Sequence, residues 1–119
     1  MLYGYGGHIL RVDLSSRSVA REPLPENLAR GWLGGRGFVS RILWQELPPG
    51  TDPLGPDNLV VMASGPLAGC FIPASGKIHF GTRSPATGGY GDSNMGGHLA
   101  AELKHAGYDM MIFRGQADS

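Results

Sequence analysis

The sequence predicts an α+β fold made mainly of antiparallel β-sheet with short helices. Strand-like and helix-like segments are mixed along the chain, without the regular strand–helix alternation that a parallel sheet requires. A hairpin-like pair of strands opens the chain, and 20 of the 119 residues are glycine, which suits either a turn-rich β architecture or a backbone that approaches a ligand closely. Because no internal repeat or linker is visible, we expect residues 1–119 to form a single domain.

Hydrophobic periodicity and turn residues place the individual elements. The run from His8 to Leu14 alternates like a strand, and after a short turn Ser18–Glu22 can pair back with it as a hairpin. Pro25 is favourable at the start of a short helix, which Gly34 and Gly35 end. The remaining predictions are a helix at 37–47, strands at 59–63, 77–82 and 110–113, and a helix at 98–106.

Composition and charge exclude several classes of partner. Ten basic residues balance ten acidic ones and neither sign forms a block, so neither nucleic acid nor an anionic membrane is an expected partner. No apolar segment approaches the length of a membrane span, and the first residues lack the pattern of a signal peptide. The expected location is therefore the cytoplasm.

Three conspicuous side chains have structural interpretations. Trp32 and Trp44 lie at or near the apolar faces of predicted helices, where core packing is their expected role. Cys70, the one cysteine, is expected to be a small buried residue, and it cannot supply the several thiolates that an iron–sulfur cluster requires. The four histidines are scattered and form no metal-ligand pattern with carboxylates, so no metal site built from side chains is predicted.

A Gly-rich segment that contains an asparagine leads into the last predicted helix. Leu99 and Leu103 make one face of this helix apolar, and either Ser93 or Asn94 is expected as its N-cap. The start of a helix leaves backbone N–H groups free, and the glycines at 96–97 lack side chains that would block an anion from reaching them. The same glycines could instead serve only to form turns with positive φ, and the sequence pattern leaves both interpretations open.

Five motifs carry a resemblance that decides between these interpretations. They are YGYGGHILRVDLSS, GWLGGRGF, PPGTDPLGPDNLVVMASGPLAG, TRSPATGG and SNMGGHLAAELKHAGYD, which begin at residues 3, 31, 48, 82 and 93. In this order and spacing they resemble the N-terminal domain of the aldehyde ferredoxin oxidoreductase family over essentially the whole chain. The resemblance implies a tungsten enzyme, or in some branches a molybdenum enzyme, that oxidises aldehydes to carboxylic acids and passes electrons through an iron–sulfur cluster to ferredoxin.

The resemblance also implies where this chain would lie in such an enzyme. The family's N-terminal domain is a saddle of two β-sheets beneath a bis-pyranopterin metal cofactor, and this chain would be the N-terminal part of that domain. The catalytic residues and the cluster cysteines would then lie downstream, so no catalytic residue is assigned here. The implied partners are the remainder of the enzyme or a companion large subunit, and ferredoxin through the whole enzyme.

Three positions match residues that hold the cofactor in the family. Asn94 and Gly96 stand where the family contacts the pterin phosphates and their bridging magnesium, the asparagine through its main-chain carbonyl. Lys77 stands where a tungsten enzyme of the family carries an arginine that reaches a phosphate. Lysine keeps the charge but loses the planar fork of arginine, so Arg36 and Arg83 are further candidates for this contact.

Two other functions remain compatible with the sequence. The chain could belong to another member of the superfamily, such as a tungsten enzyme that reduces an aromatic thioester, or it could be a stand-alone binding or assembly module that keeps the fold without the cofactor. We also expect the strand at 110–113 to leave an unpaired sheet edge and apolar surface, because it ends near the last residue while the family's sheets continue with later strands. The isolated chain is then expected to self-associate, for example as a homo-oligomer, or to be poorly stable.

Overall fold

A computed structural model describes residues 2–118, which contain one six-stranded sheet flanked by helices. The strands are β1 (His8–Asp13), β2 (Ser18–Pro23), β3 (Leu59–Ser64), β4 (Ile78–Arg83), β5 (Tyr90–Met95) and β6 (Met110–Arg114), and the helices are α1 (Glu26–Trp32), α2 (Arg36–Glu46) and α3 (Leu99–His105). The strand order is β2-β1-β6-β3-β4-β5. No helix among these residues is long and apolar enough to cross a membrane.

The predicted fold class is confirmed, since four of the five strand pairs are antiparallel and only β1 and β6 run parallel. The described residues form one sheet, so they do not contain the whole two-sheet saddle that the resemblance implies. The predicted hairpin is present with β1 paired to β2 from His8–Pro23 to Asp13–Ser18.

Strand β5 was missed, because the sequence YGDSNM is polar and glycine-bearing and was interpreted as a loop. It forms a ladder with β4 in which Asn94 lies opposite His79. The prediction that Ser93 or Asn94 caps the last helix is therefore wrong. His98 occupies the N-cap position of α3, and its side chain makes no capping hydrogen bond.

The position of β6 also differs from expectation. β6 pairs with β1 on one side and β3 on the other, so the predicted unpaired edge at 110–113 is wrong. Its buried residues Met110 and Ile112 explain the difference, because an apolar strand gains most when both neighbours cover it. The edges of the sheet are β2 and β5.

Apolar side chains cover both faces of the sheet. On one face α1 and α2 pack through Leu28, Phe38 and Val39 against Val61 and Ile112. On the other face, Ala100 and Leu103 of α3 pack against Met62 and Ile78. Because Val61 and Met62 are consecutive on β3, their membership of different clusters shows the alternation of the two faces.

Glycine at position 81 allows α2 to lie close to the sheet. A Cβ there would stand 2.4 Å from Cγ1 of Val39 on α2 and 3.0 Å from the ring of Tyr90 on β5. These distances are too short for any other residue without movement of the helix. Gly81 therefore sets the distance between α2 and the strands that carry the polar side chains described below.

The predictions for the tryptophans and the cysteine are wrong. Trp44 is 83% exposed and Trp32 is 44% exposed, since Phe38, Val39, Ile42 and Leu43 already fill the core-facing side of α2. The ring of Trp32 instead lies 5.4 Å from the guanidinium of Arg41. Cys70 is exposed in the segment that joins β3 to β4.

The buried carboxylate of Asp109 joins the N-terminal segment to α3 and the sheet. Its side chain accepts hydrogen bonds from the amides of Gly6 and Gly7 at 2.9 and 2.7 Å and from Nζ of Lys104 at 2.5 Å. The amide of Asp109 donates to the carbonyl of His8, and its carbonyl accepts from the amide of Ser64. Asp109 is 0% exposed, so these donors supply its stabilisation in place of water.

Replacing Asp109 with alanine is expected to lower the free energy of unfolding by about 3–5 kcal/mol, because two amides lose their acceptor and the largely buried ammonium group of Lys104 keeps only the carbonyl of Gly4 as an acceptor among the described residues. Chemical denaturation of the two proteins measures the difference. Asp118→Ala is the matched control, since that carboxylate forms an exposed pair with Arg17 and surface pairs contribute little. Equal effects of the two substitutions would contradict the role assigned to Asp109.

Candidate functional site

A cleft of about 420 Å³ opens where β3 ends and β4 begins. Its wall combines the turn between α1 and α2, the start of β4 and the end of β5. The lining includes Gly34, Gly35, Arg36, Lys77, His79 and Asn94. Among the described residues, no acidic side chain lines the cleft, which makes it an environment suited to an anion.

The turn between α1 and α2 forms one wall by lying directly on the end of β3. The amide of Gly35 donates to the carbonyl of Ser64 at 2.9 Å. A Cβ on Gly34, whose φ is +153°, would stand 2.8 Å from the same carbonyl oxygen. Glycine is therefore required for this close approach, which places Arg36, the first residue of α2, at the cleft.

Lys77 and Gly96 come together because the segments before β4 and after β5 touch. A Cβ on Gly76 would stand 2.5 Å from the carbonyl oxygen of Gly97, so these two backbones meet through glycine. Nζ of Lys77 lies 3.7 Å from the position that a Cβ on Gly96 would occupy. Within residues 2–118, the amides of Gly96 and Gly97 form no hydrogen bond with a backbone or side-chain acceptor.

A hydrogen-bonded network around His79 extends from the cleft along β5. Nδ1 of His79 lies 2.9 Å from Oδ1 of Asn94, and Nε2 lies 2.8 Å from the hydroxyl of Tyr90 and 3.5 Å from a carboxylate oxygen of Asp92. Arg36 donates to the same oxygen of Asp92 at 2.7 Å. The network therefore connects β4, β5 and the start of α2.

The electrostatics of this network favour a protonated Tyr90. Burial raises the pKa of the Tyr90 phenol and the nearby Asp92 carboxylate raises it further, while Arg36 opposes the shift. A phenol whose pKa is raised above its ordinary value remains a hydrogen-bond donor throughout the neutral range. The Tyr90 hydroxyl can therefore donate to Nε2 of His79.

The three residues assigned to the cofactor from the sequence lie together around the cleft. Lys77 and Asn94 line it, and Gly96 lies beside Nζ of Lys77. Arg36 also lines the cleft, although Asp92 holds its guanidinium. Arg83 does not, because it lines a separate groove with Trp44.

His79, Tyr90 and Asp92 were not predicted from the sequence as neighbours of the cofactor residues. Tyr90, Asp92 and Asn94 are spaced by two residues, which is the period of side chains on one face of a strand. This alternation is the sequence signal that identifies the strand, but the polar residues and glycine of the segment favour a loop instead. His79 was treated only as one of four scattered histidines, since its partners lie on another strand.

The assembled groups are suited to binding an anion. Lys77 supplies a positive charge, and the loop at 96–97 supplies amides that are not used elsewhere in the described part of the chain. Such groups are the usual ligands of phosphate in proteins. Among the described residues, no cluster of three or more His, Cys, Asp or Glu side chains could hold a metal ion.

Comparison with known proteins agrees with the resemblance seen in the sequence. Residues 9–119 match the model of the family described as aldehyde ferredoxin oxidoreductase, N-terminal domain. The tungsten-containing aldehyde ferredoxin oxidoreductases of Pyrococcus furiosus and Pyrococcus horikoshii are 42% and 44% identical to this chain over 117 residues. In both cases the match covers 98% of this chain and 19% of the relative, so the chain spans about a fifth of their length.

Two further relatives carry other names. The aliphatic sulfonate oxidoreductase, WOR-like subunit, of Pyrococcus furiosus is 40% identical over 121 residues, which cover 99% of this chain and 19% of that protein. The solved structure of the active site complex BamBC of benzoyl coenzyme A reductase with 1,5-dienoyl-CoA matches with a TM-score of 0.96 and 39% identity. That match covers 100% of this chain and 18% of the solved chain. The chain therefore belongs to the aldehyde ferredoxin oxidoreductase family, whose N-terminal domain it matches over residues 9–119.

Proposed function

We propose that this chain is the part of a pterin-dependent tungsten or molybdenum oxidoreductase that holds the phosphates of the cofactor. The observation that carries the proposal is the convergence of Lys77, Asn94 and Gly96 on one cleft without a lining carboxylate. Tungsten as the metal is supported by the relatives that are named tungsten-containing aldehyde ferredoxin oxidoreductases. The proposal treats residues 1–119 as a single domain that forms the N-terminal part of the family domain.

The residues at the cleft fit a phosphate-bearing cofactor. Lys77 acts as a point charge for a phosphate oxygen, and the backbone beside Gly96 lets a second oxygen approach the free amides. The main-chain carbonyl of Asn94 is a suitable hard ligand for a magnesium ion that bridges the phosphates. The chain's own contribution is to bind and orient, while the metal supplies the redox chemistry when the cofactor is bound.

The proposed overall reaction is the oxidation of an aldehyde to a carboxylic acid with ferredoxin as electron acceptor. Since the chain is about a fifth of the length of its relatives, the substrate pocket and the iron–sulfur cluster are assigned to the remainder of the enzyme or to a companion large subunit. The proposed location of the enzyme is the cytoplasm. A homo-oligomer is compatible with the open edge of β5.

A second candidate is the reduction of an aromatic thioester. It is favoured by the likeness to the benzoyl coenzyme A reductase complex, which extends over the whole chain at a TM-score of 0.96. Both candidates use the cleft in the same way. Assays of the full-length protein with aldehydes and with aromatic coenzyme A thioesters distinguish them, and a folded protein without metal or pterin would indicate the stand-alone module instead.

Gly96→Val in the full-length protein is expected to reduce bound metal and pterin strongly, because the added side chain blocks the approach of a phosphate to the loop. The fold should tolerate the change, since only Nζ and Cε of Lys77 lie within 4.0 Å of the new Cβ and the φ of Gly96 is not left-handed. The measurement is metal and pterin content per folded protein.

Gly89→Val is the matched control for this substitution. Gly89 lies outside the cleft, and the nearest atom to a Cβ there is 3.7 Å away. The control should retain the cofactor. Full occupancy in folded Gly96→Val protein would show that the loop is only a structural turn.

Lys77→Ala is expected to speed the loss of cofactor by about tenfold, which corresponds to the removal of one charge-assisted hydrogen bond. Lys77→Arg should retain the cofactor, because arginine keeps the charge and adds a planar fork that suits phosphate. Dissociation is followed as metal that remains with the protein after repeated gel filtration. If Ala and Arg at this position behave alike, the lysine charge has no role in holding the phosphate.

A further inference from the structure

Resting on the proposed function, we infer that His79 is a positioning residue that fixes the side-chain amide of Asn94 for the cleft. The ring of His79 forms a hydrogen bond with Oδ1 of Asn94, so the NH₂ group of the amide is left to donate to an anion. This contact is distinct from the main-chain carbonyl of Asn94, and it adds a side-chain donor to the site.

The ring of His79 is held on both sides. The residue is 4% exposed, and each ring nitrogen has a partner on β5. Since Oδ1 of Asn94 can only accept, Nδ1 carries the proton of the bond between them. With the proton on Nδ1, Nε2 of a neutral ring accepts a hydrogen bond from the Tyr90 hydroxyl.

The strand that carries both partners of His79 is itself anchored. Asp92, which lies on β5 between Tyr90 and Asn94, accepts a hydrogen bond at 2.7 Å from Arg36 at the start of α2. The raised pKa of Tyr90 keeps its hydroxyl proton available for the bond. These contacts matter because β5 is an edge strand, with β4 as its only neighbour among the described strands.

The remaining donors of Asn94 match the charge of the cleft. Within the described chain, Nδ2 of Asn94 makes no hydrogen bond, while Oδ1 is used by His79. Asn94 lines the cleft together with the cationic Lys77 and Arg36. An amide that presents its NH₂ group adds to this set of donors, whereas a free Oδ1 would repel a phosphate oxygen.

Two substitutions of His79 each keep one of its two hydrogen bonds and remove the other. In His79→Asn, the amide nitrogen stands near the position of Nδ1 and can still donate to Asn94. In His79→Gln, the amide stands near the position of Nε2 and keeps the contact with Tyr90 instead. We expect the full-length Gln variant to lose metal and pterin about tenfold faster than the wild type, and the Asn variant, which lacks only the contact with Tyr90, to lose them about threefold faster.

Tyr90→Phe provides a second test at a residue that does not line the cleft. The Tyr90 hydroxyl bonds only to His79 among the described residues, and Tyr90 lies on the other groove, outside the cleft. If this variant loses cofactor faster, the effect of the missing hydroxyl is therefore transmitted to the cleft through the ring of His79. We expect the cofactor to dissociate about threefold faster, as in His79→Asn, with an unchanged melting temperature of the apoprotein.

The outcomes separate this inference from the proposed function. Equal retention in His79→Asn, His79→Gln and Tyr90→Phe, together with loss in Gly96→Val, would overturn the role of His79 and leave the phosphate cleft in place. Equal loss in both His79 variants would indicate general packing and also overturn it, as would full retention in Tyr90→Phe should neither His79 variant fold. Retention in Gly96→Val and Lys77→Ala would instead reject the proposed function itself.

Discussion

The buried carboxylate of Asp109 is the interaction on which the cleft depends. A buried charge without partners costs several kcal/mol, so the chain is constrained to bring the amides at 6–7 and the ammonium group of Lys104 to this one point. The main chain of Asp109 extends the constraint, since its carbonyl accepts from both the amide and the hydroxyl of Ser64. The carbonyl of Ser64 in turn accepts from Gly35. Two main-chain links therefore connect the buried carboxylate to the turn that walls the cleft.

Close approaches of backbone complete the cleft and explain part of the high glycine content. Gly34 lies against the end of β3, Gly76 lies against Gly97, and Gly81 lies against α2. Each approach removes space that a Cβ would need, and each brings a different segment to the same region of the molecule. The polar network of His79 then fixes the edge strand β5, whose own side chains are mostly exposed. The cleft is thus shaped by backbone contacts and oriented by side-chain hydrogen bonds.

Local patterns were sufficient to predict most of the fold. The alternation in β1, the apolar stripe of α2 and the continuous apolar runs of β3 and β6 each specify an element without knowledge of the rest of the chain. β5 could not be predicted this way, because an edge strand stabilised by one neighbour and a polar network carries no apolar period. Trp44 was wrongly assigned to the core since a stripe shows which face is apolar, not how many side chains the core can accept.

The residues at the candidate site likewise include some that the sequence predicts and others that it does not. Lys77, Asn94 and Gly96 were predicted from the family positions that they match. In the structure Lys77 and Asn94 line one cleft, and Gly96 lies beside Nζ of Lys77. His79 and Asp109 were missed because their partners are distant in sequence, on β5 for the histidine and at residues 6–7 for the aspartate. A buried polar residue is understood only when its hydrogen-bond partners are known, and those are set by topology.

The central claim, that this cleft holds the phosphates of a metal-pterin cofactor, is tested most directly by an experimental structure of the full-length protein with its native cofactor. Phosphate oxygens are expected at hydrogen-bond distances of about 2.7–3.2 Å from Nζ of Lys77, the amide of Gly96 and Nδ2 of Asn94. A cofactor whose phosphates lie elsewhere, with this cleft filled by solvent or by other protein, would contradict it.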